Sequence, residues 1–222
     1  MKQANKESSV SFPNESVHRS DRGETGRILY RCNWTKTGPL DGYEIAELED
    51  ARRLLYERNL IGIYPDGIGF GNLSRRSGPG DNFIISGTQT GGLKQLSGEH
   101  YSCVTSFDFA GNALSCTGPA AASSEALSHA ALYVCSAAVM AVVHVHHDAL
   151  WAKLQNSAPT TDLSAPPGTP EMALEIERLF RETNLPQCGL LVMGGHKPGL
   201  MTFGSTVGQA AQVVLDALGG AC

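Results

Sequence analysis

From Asp41 onward, apolar and polar positions alternate with periods that define elements. Ile45, Leu48, Ala51 and Leu55 share one helical face, and Glu47, Glu49 and Arg52 fill the other. This spacing predicts a helix from Asp41 to near Asn59. Leu60-Ile61-Gly62-Ile63 reads as a short extended run. Phe83-Ile84-Ile85 reads as a strand ending in the turn-rich Ser86-Gly87-Thr88-Gln89-Thr90-Gly91-Gly92. Residues 103–109 and 113–116, joined by Ala110-Gly111-Asn112, predict a hairpin. Ser123-Ser124-Glu125 opens a helix through Leu127, Ala131, Val134 and Ala138. Residues 139–144 are apolar and β-branched, which predicts a buried strand. A polar loop runs from 156 to 168. Thr169-Pro170-Glu171 then starts a helix with a hydroxyl cap, a proline where its missing N–H costs nothing, and an acid in the first turn. Met172, Ile176, Leu179 and Phe180 form its apolar face. Residues 190–193 and 200–203 read as strands, and a last helix runs from Thr206 through Val213, Val214 and Ala217.

Strands and helices interleave without an internal repeat, so one α/β domain over residues 39–222 is expected. Residues 1–38 form a polar N-terminal extension, in which only Ile28-Leu29-Tyr30 offers apolar surface for docking. A chain of 222 residues, 41% hydrophobic, buries a substantial core. The formal net charge of -5 argues against general affinity for nucleic acid or anionic lipid. Any phosphate site is therefore local, built from backbone amides and hydroxyls. No apolar stretch reaches the ~20 residues that a membrane span needs. Met1 to Ser20 lacks the apolar core of a secretory signal. The six cysteines (Cys32, Cys103, Cys116, Cys135, Cys188 and Cys222) form no Cys-x-x-Cys pair. Together these features lead us to expect reduced thiols and a cytoplasmic protein.

The strongest local signal for chemistry is His144-Val145-His146-His147, directly after a predicted strand. Side chains two apart on a strand share a face. His144 and His146 can therefore meet one cation while Val145 points away. Catalytic zinc takes three protein ligands and leaves one position open. His196, behind Gly194-Gly195 at the end of another strand, is the candidate third. The same histidines can equally be ordinary polar residues at strand ends. Glu125 has two compatible readings: an acid that complements a helix dipole behind capping serines, or a carboxylate that moves protons beside a metal. Asn72, Ser74, Thr88, Thr90, Ser123 and Ser124 can cradle an anion with nearby backbone N–H groups, and each also suits a turn or a cap. Gly67, Gly69 and Gly71 match neither a P-loop nor a dinucleotide fingerprint. His129 stands at i+4 from Glu125 and is placed to pair with it. His18 and His100 have no sequence partner, and Lys94, Lys197, Arg75 and Arg76 read as solvated charge.

Taken in order, these pieces resemble the class II aldolase/adducin family. The matching residues are Gly71-Asn72-Leu73-Ser74, then Ile85-Ser86-Gly87-Thr88, then Ser123-Ser124-Glu125 with His129 and Tyr133. Next come Ala141-Val142-Val143-His144-Val145-His146 and Gly195-His196 leading to Gly199-Leu200. The resemblance runs from about Glu44 to Leu218. It implies a single-domain α/β/α sandwich with a mostly antiparallel central sheet, and a C4 homotetramer with active sites between subunits. It implies Zn2+, or another divalent metal, on His144, His146 and His196, with Glu125 as the catalytic carboxylate. Substrate or phosphate would be held by Asn72, Ser123 and Ser124, plus Thr88 or Thr90.

The implied reaction is that of an aldehyde-lyase in carbohydrate metabolism. It cleaves a carbon–carbon bond in a small hydroxy-carbonyl compound, phosphorylated sugars included, through a metal-stabilised enediolate. Glutamate at 125 favours aldolase-like chemistry over the epimerase branch, where aspartate is usual. Decarboxylation, epimerisation and dehydration can use the same metal site, and a non-enzymatic adducin-like binding domain is the alternative of a different class. Two departures stand out. The turn from Gly87 to Gly92 is longer than that of the sugar-phosphate aldolases. No tyrosine matches those that some aldolases send across the subunit boundary from their tails, so the acid for the aldehyde oxygen is unassigned.

Overall fold

The protein is described by a computed structural model covering residues 30–78 and 80–220. His18, Ile28, Leu29 and Cys222 lie outside the described residues. The strands are β1 (Arg31–Lys36), β2 (Gly62–Ile63), β3 (Gly69–Phe70), β4 (Asn72–Arg76), β5 (Phe83–Ser86), β6 (Tyr101–Asp108), β7 (Ala113–Gly118), β8 (Ala141–His146), β9 (Leu190–Val192) and β10 (Gly199–Gly204). The helices are α1 (Gly42–Glu57), α2 (Ala126–Cys135), α3 (Asp148–Leu154), α4 (Pro170–Glu182), α5 (Leu185–Cys188) and α6 (Val207–Gly219). Eight strands form one sheet in the order β1-β7-β6-β5-β4-β8-β10-β9, and β2 and β3 pair separately.

The α/β class is as expected, but the sheet is mixed. β1 runs parallel to β7, and the other neighbours in that sheet pair antiparallel. The polar lead-in read over 1–38 hides this strand. Cys32 is buried and Trp34 half-buried, while Arg31, Asn33 and Thr35 face out, which is the period-2 signature of an edge strand. Two side chains fasten it. Tyr30 Oη donates to Ala122 O (2.8 Å), and Trp34 Nε1 donates to Gly118 O (2.8 Å).

Strand residues alternate between two apolar clusters. Phe83, Ile85, Val142, Leu191 and Met201 pack with α2 and α4. Ile84, Val143, Val145, Val192 and Leu200 pack with α1, α3 and α6. Burial on alternate faces locks the register, because a one-residue slip would exchange the two sets. The hydroxyl cap expected at Thr169 is present, and side chains also cap α1 and α6. Asp41, Thr169 and Thr206 accept from the backbone N–H of Tyr43, Met172 and Gln209.

Several elements differ from the sequence reading. α2 ends at Cys135 rather than Ala138, because Ser136 turns to an extended conformation (φ -159, ψ 133). Glu125 is the N-cap of that helix, not a member of its first turn. β4 and the short helices α3 and α5 were not anticipated. Arg52, read on the polar face of its helix, and Arg76, read as solvated charge, are buried at 1% and 9% exposure. The Arg76 guanidinium donates to the carbonyls of Gly80, Tyr133, Ser136 and Val139 and to the Asp81 carboxylate. It thereby ties β4 to the end of α2. Replacing Arg76 by Ala strands several of those acceptors, so unfolding in urea should show a loss of about 2–4 kcal/mol. A midpoint unchanged from wild type would contradict this account.

Candidate metal centre

β8 carries His144 and His146 out of the sheet on one face, while Val143 and Val145 enter the core on the other. Their exposure is 1% and 8%. His196 arrives from the turn between β9 and β10. Gly194 and Gly195 make that turn possible, because a Cβ at either would collide with the carbonyl oxygens of Thr161 and Ala165. Thr161 holds the turn: its hydroxyl accepts from Gly194 N (2.9 Å), and its own N–H donates to Val192 O (3.0 Å). The polar loop at 156–168 thus positions His196.

His146 meets His144 and His196 edge-on, while His144 and His196 lie more nearly parallel. His146 Nε2 lies 3.0 Å from His144 Nε2 and 3.0 Å from His196 Nε2. His144 Nδ1 is 3.1 Å from Leu200 O, so that nitrogen carries the proton and leaves the Nε2 lone pair facing the centre. Burial holds all three rings below the usual imidazole pKa, His146 at about 3 and His196 at about 4, so they are neutral. One ring proton at the centre cannot satisfy three inward nitrogens, whereas a cation takes all their lone pairs. Tetrahedral zinc with bonds of about 2.0–2.1 Å sets its nitrogens about 3.3–3.4 Å apart. The donor set and spacing therefore fit a divalent ion.

Glu125 stands beside this group. It is 6% exposed, and its Oε1 lies 3.6 Å from His196 Nε2. Ser128 Oγ donates to Oε2 (3.3 Å). Burial raises the Glu125 pKa to about 7, against the opposing bond from Ser128. Next to a neutral His196, the contact is not an ion pair.

Residues 46–217 match the Class II Aldolase and Adducin N-terminal domain. The chain belongs to the class II aldolase and adducin family. The fold agrees with solved structures of that kind. YgbL of Klebsiella pneumoniae, a candidate aldolase/epimerase/decarboxylase, is 21% identical with a TM-score of 0.60, over 81% of this chain and 86% of that one. L-fuculose-1-phosphate aldolase from Thermus thermophilus is 18% identical with a TM-score of 0.57, over 82% and 92%. Sugar-phosphate aldolase from Thermotoga maritima is 15% identical with a TM-score of 0.59, over 81% and 92%. No curated protein matches the chain in sequence. Class II aldolases use a divalent metal, and this member has the histidine triad to bind one.

The residues read as an anion cradle divide in this family member. Asn72 stands opposite His144 across the β4–β8 ladder, and its Nδ2 donates to Ser123 Oγ (3.1 Å). Its buried Oδ1 has no hydrogen-bond partner among the described residues. Ser123 Oγ also accepts from Glu125 N (3.3 Å), and Ser124 follows half-buried. Gly87 bridges to Ala122, and Thr88 N donates to Ala121 O (2.9 Å), which brings the exposed Thr88 alongside. Thr90 is committed elsewhere, its hydroxyl donating to Gly87 O within its own turn (2.8 Å). Ser74 is also withdrawn, bonded to His129 Nδ1 (2.6 Å) and Tyr133 Oη (2.7 Å). His129 therefore pairs through its ring with Ser74, not with Glu125.

Sequence reasoning missed three supports of the site. Ser128, at i+3 from Glu125, could have been found from helical spacing. Arg52 clamps the long turn through the carbonyls of Thr90, Gly91, Leu93 and Lys94, a role without a local signature. Tyr64 reaches His146 from a separate hairpin (2.6 Å to Nδ1). Gly199 is the tightest steric constraint on the rings. A Cβ there would lie 2.7 Å from His196 Cδ2 and 3.0 Å from His144 Cε1. Gly199→Ala should weaken divalent-metal binding by about tenfold or more, read by competition with a chromophoric chelator. Wild-type affinity in that variant would contradict the assigned geometry.

Proposed function

We propose that this chain is a metal-dependent lyase performing aldolase-like carbon–carbon cleavage on a small hydroxy-carbonyl substrate, sugar phosphates included. The observation that carries the reading is the Glu125 carboxyl group lying 3.6 Å from the His196 nitrogen that faces the other two rings. His144, His146 and His196 would hold the ion, zinc foremost. When bound, it supplies Lewis acidity to adjacent substrate oxygens. Glu125 Oε1 would take the proton from, or return it to, the reacting substrate atom, and a pKa near neutrality suits that exchange. Ser128 orients this carboxyl through Oε2. Asn72, Ser123, Ser124 and Thr88 would receive the polar or phosphorylated end of the substrate. The free Asn72 Oδ1 accepts a substrate hydroxyl, and the amide and serine donors suit an anion.

A decarboxylase or epimerase/dehydratase at the same site is the second reading. It is favoured by the extended turn at 87–92 and by the exposure of Thr88, which loosen the phosphate cradle. A non-enzymatic adducin-like domain is disfavoured by the intact histidine triad with its neighbouring carboxyl group. By the same family resemblance we extend the proposal to a cytoplasmic C4 tetramer. Exposed Val134 (53%) and Leu174 (65%) beside Phe109 supply apolar surface consistent with association. Among the described residues, no helix is long and apolar enough to cross a membrane.

Turnover of ketose phosphates and hydroxy acids, followed by release of aldehyde, carbon dioxide or water, separates the two enzymatic readings. Glu125→Gln should retain metal and lower kcat by about 10²–10⁴-fold, and unchanged kcat would rule out its role. His144→Ala should lose bound metal on elemental analysis, with full occupancy counting against the ligand set.

A further inference from the structure

The hairpin formed by β2 and β3 lies outside the main sheet, yet it reaches the histidine centre. Tyr64 follows β2, and its hydroxyl sits 2.6 Å from His146 Nδ1. Phe70, the last residue of β3, stacks on the His146 ring at 5.3 Å and 13°. Tyr64 and Phe70 also pack together, with centroids 4.5 Å apart. The hairpin thus grips His146 by one hydrogen bond and one ring face. Gly71 makes this possible. It sits at φ +80, and a Cβ there would lie 2.6 Å from Ile61 Cγ1.

We propose that Tyr64 is the positioning residue that sets His146 for the cation, with ring Nδ1–H donating to Tyr64 Oη. This rests on the metal reading of the triad. The chemistry leaves little choice. His146 Nε2 is the nitrogen that faces both other rings, so it must offer a lone pair if an ion is bound. A neutral imidazole then carries its single proton on Nδ1, where Tyr64 is the hydrogen-bond partner. His144 meets the same requirement through the Leu200 carbonyl, a fixed acceptor. Tyr64 differs because a phenol can donate or accept. As donor it would force the proton onto Nε2 and close the centre. As acceptor it leaves the Nε2 lone pair facing the centre.

The test uses Co2+ and Zn2+ alone on the full chain. Tyr64→Phe keeps the ring and its packing against Phe70 but removes the acceptor. Its affinity for Co2+, measured by chelator competition, should fall by about 10–100-fold. Its cobalt absorption bands should change in intensity, while the melting temperature of the metal-free protein stays at the wild-type value. Equal affinity with superimposable bands would overturn the inference and leave the triad reading intact. Wild-type protein that binds neither metal would overturn both. A second measurement needs no variant. Nitrogen NMR of histidine-labelled, zinc-loaded wild type should place the His146 proton on Nδ1, and a proton on Nε2 would overturn the proposal.

Discussion

Three imidazole nitrogens pointed at one water-poor place form the constraint on which this site depends. His144 and His146 are buried and His196 is half-buried, and desolvation disfavours the charged form of each ring, so all three are neutral. Neutral rings whose Nε2 atoms converge present lone pairs to one another, and hydrogen bonding alone cannot satisfy all of them. The surrounding structure is what imposes this arrangement. β8 fixes two rings through strand alternation, and the Gly194-Gly195 turn delivers the third because nothing larger than glycine fits against Thr161 and Ala165. The Leu200 carbonyl and the Tyr64 hydroxyl set ring orientation from outside.

The proposed acid–base role of Glu125 draws on the same architecture. Glu125 lies where α2 begins, under the sheet face from which the histidines emerge. At a helix N-cap it gains no side-chain cap bond, so its carboxyl group is free to face the centre. Burial without a cationic neighbour raises its pKa, and Ser128 moderates that rise while aiming the group. A buried acid beside a cluster of metal-type ligands is what proton transfer coupled to Lewis acidity requires. Family membership and the fold are those of class II aldolases, while the roles of the site residues and the identity of the reaction rest on the proposal made above.

Much of this was legible in the sequence because it rests on short periods. His144 and His146 two apart after an apolar strand, and Thr169 ahead of Pro170 and Glu171, are local patterns with local causes. β1 escaped because an edge strand needs apolar residues on only one face, and Cys32 and Trp34 are too few to outweigh a polar neighbourhood. β4 escaped for a different reason. Ser74 reads as part of an anion cradle and Arg75 and Arg76 as solvated charge, yet they are satisfied by partners more than 30 residues away in sequence, such as His129, Glu44 and Tyr133. Arg52 and Tyr64 fail to announce themselves in the same way, since their bonds run to distant backbone and to a distant ring. Long-range polar satisfaction leaves no periodic trace along the chain, so the supports of the site were harder to see than its ligands.

The central claim is that one cation is held by three imidazoles. X-ray absorption at the zinc edge, on protein loaded with one equivalent of Zn2+, tests it most directly. The account predicts three imidazole nitrogens at about 2.0–2.1 Å, with the remaining coordination from oxygen. A sulfur shell at about 2.3 Å, or a shell lacking imidazole scattering, would contradict it.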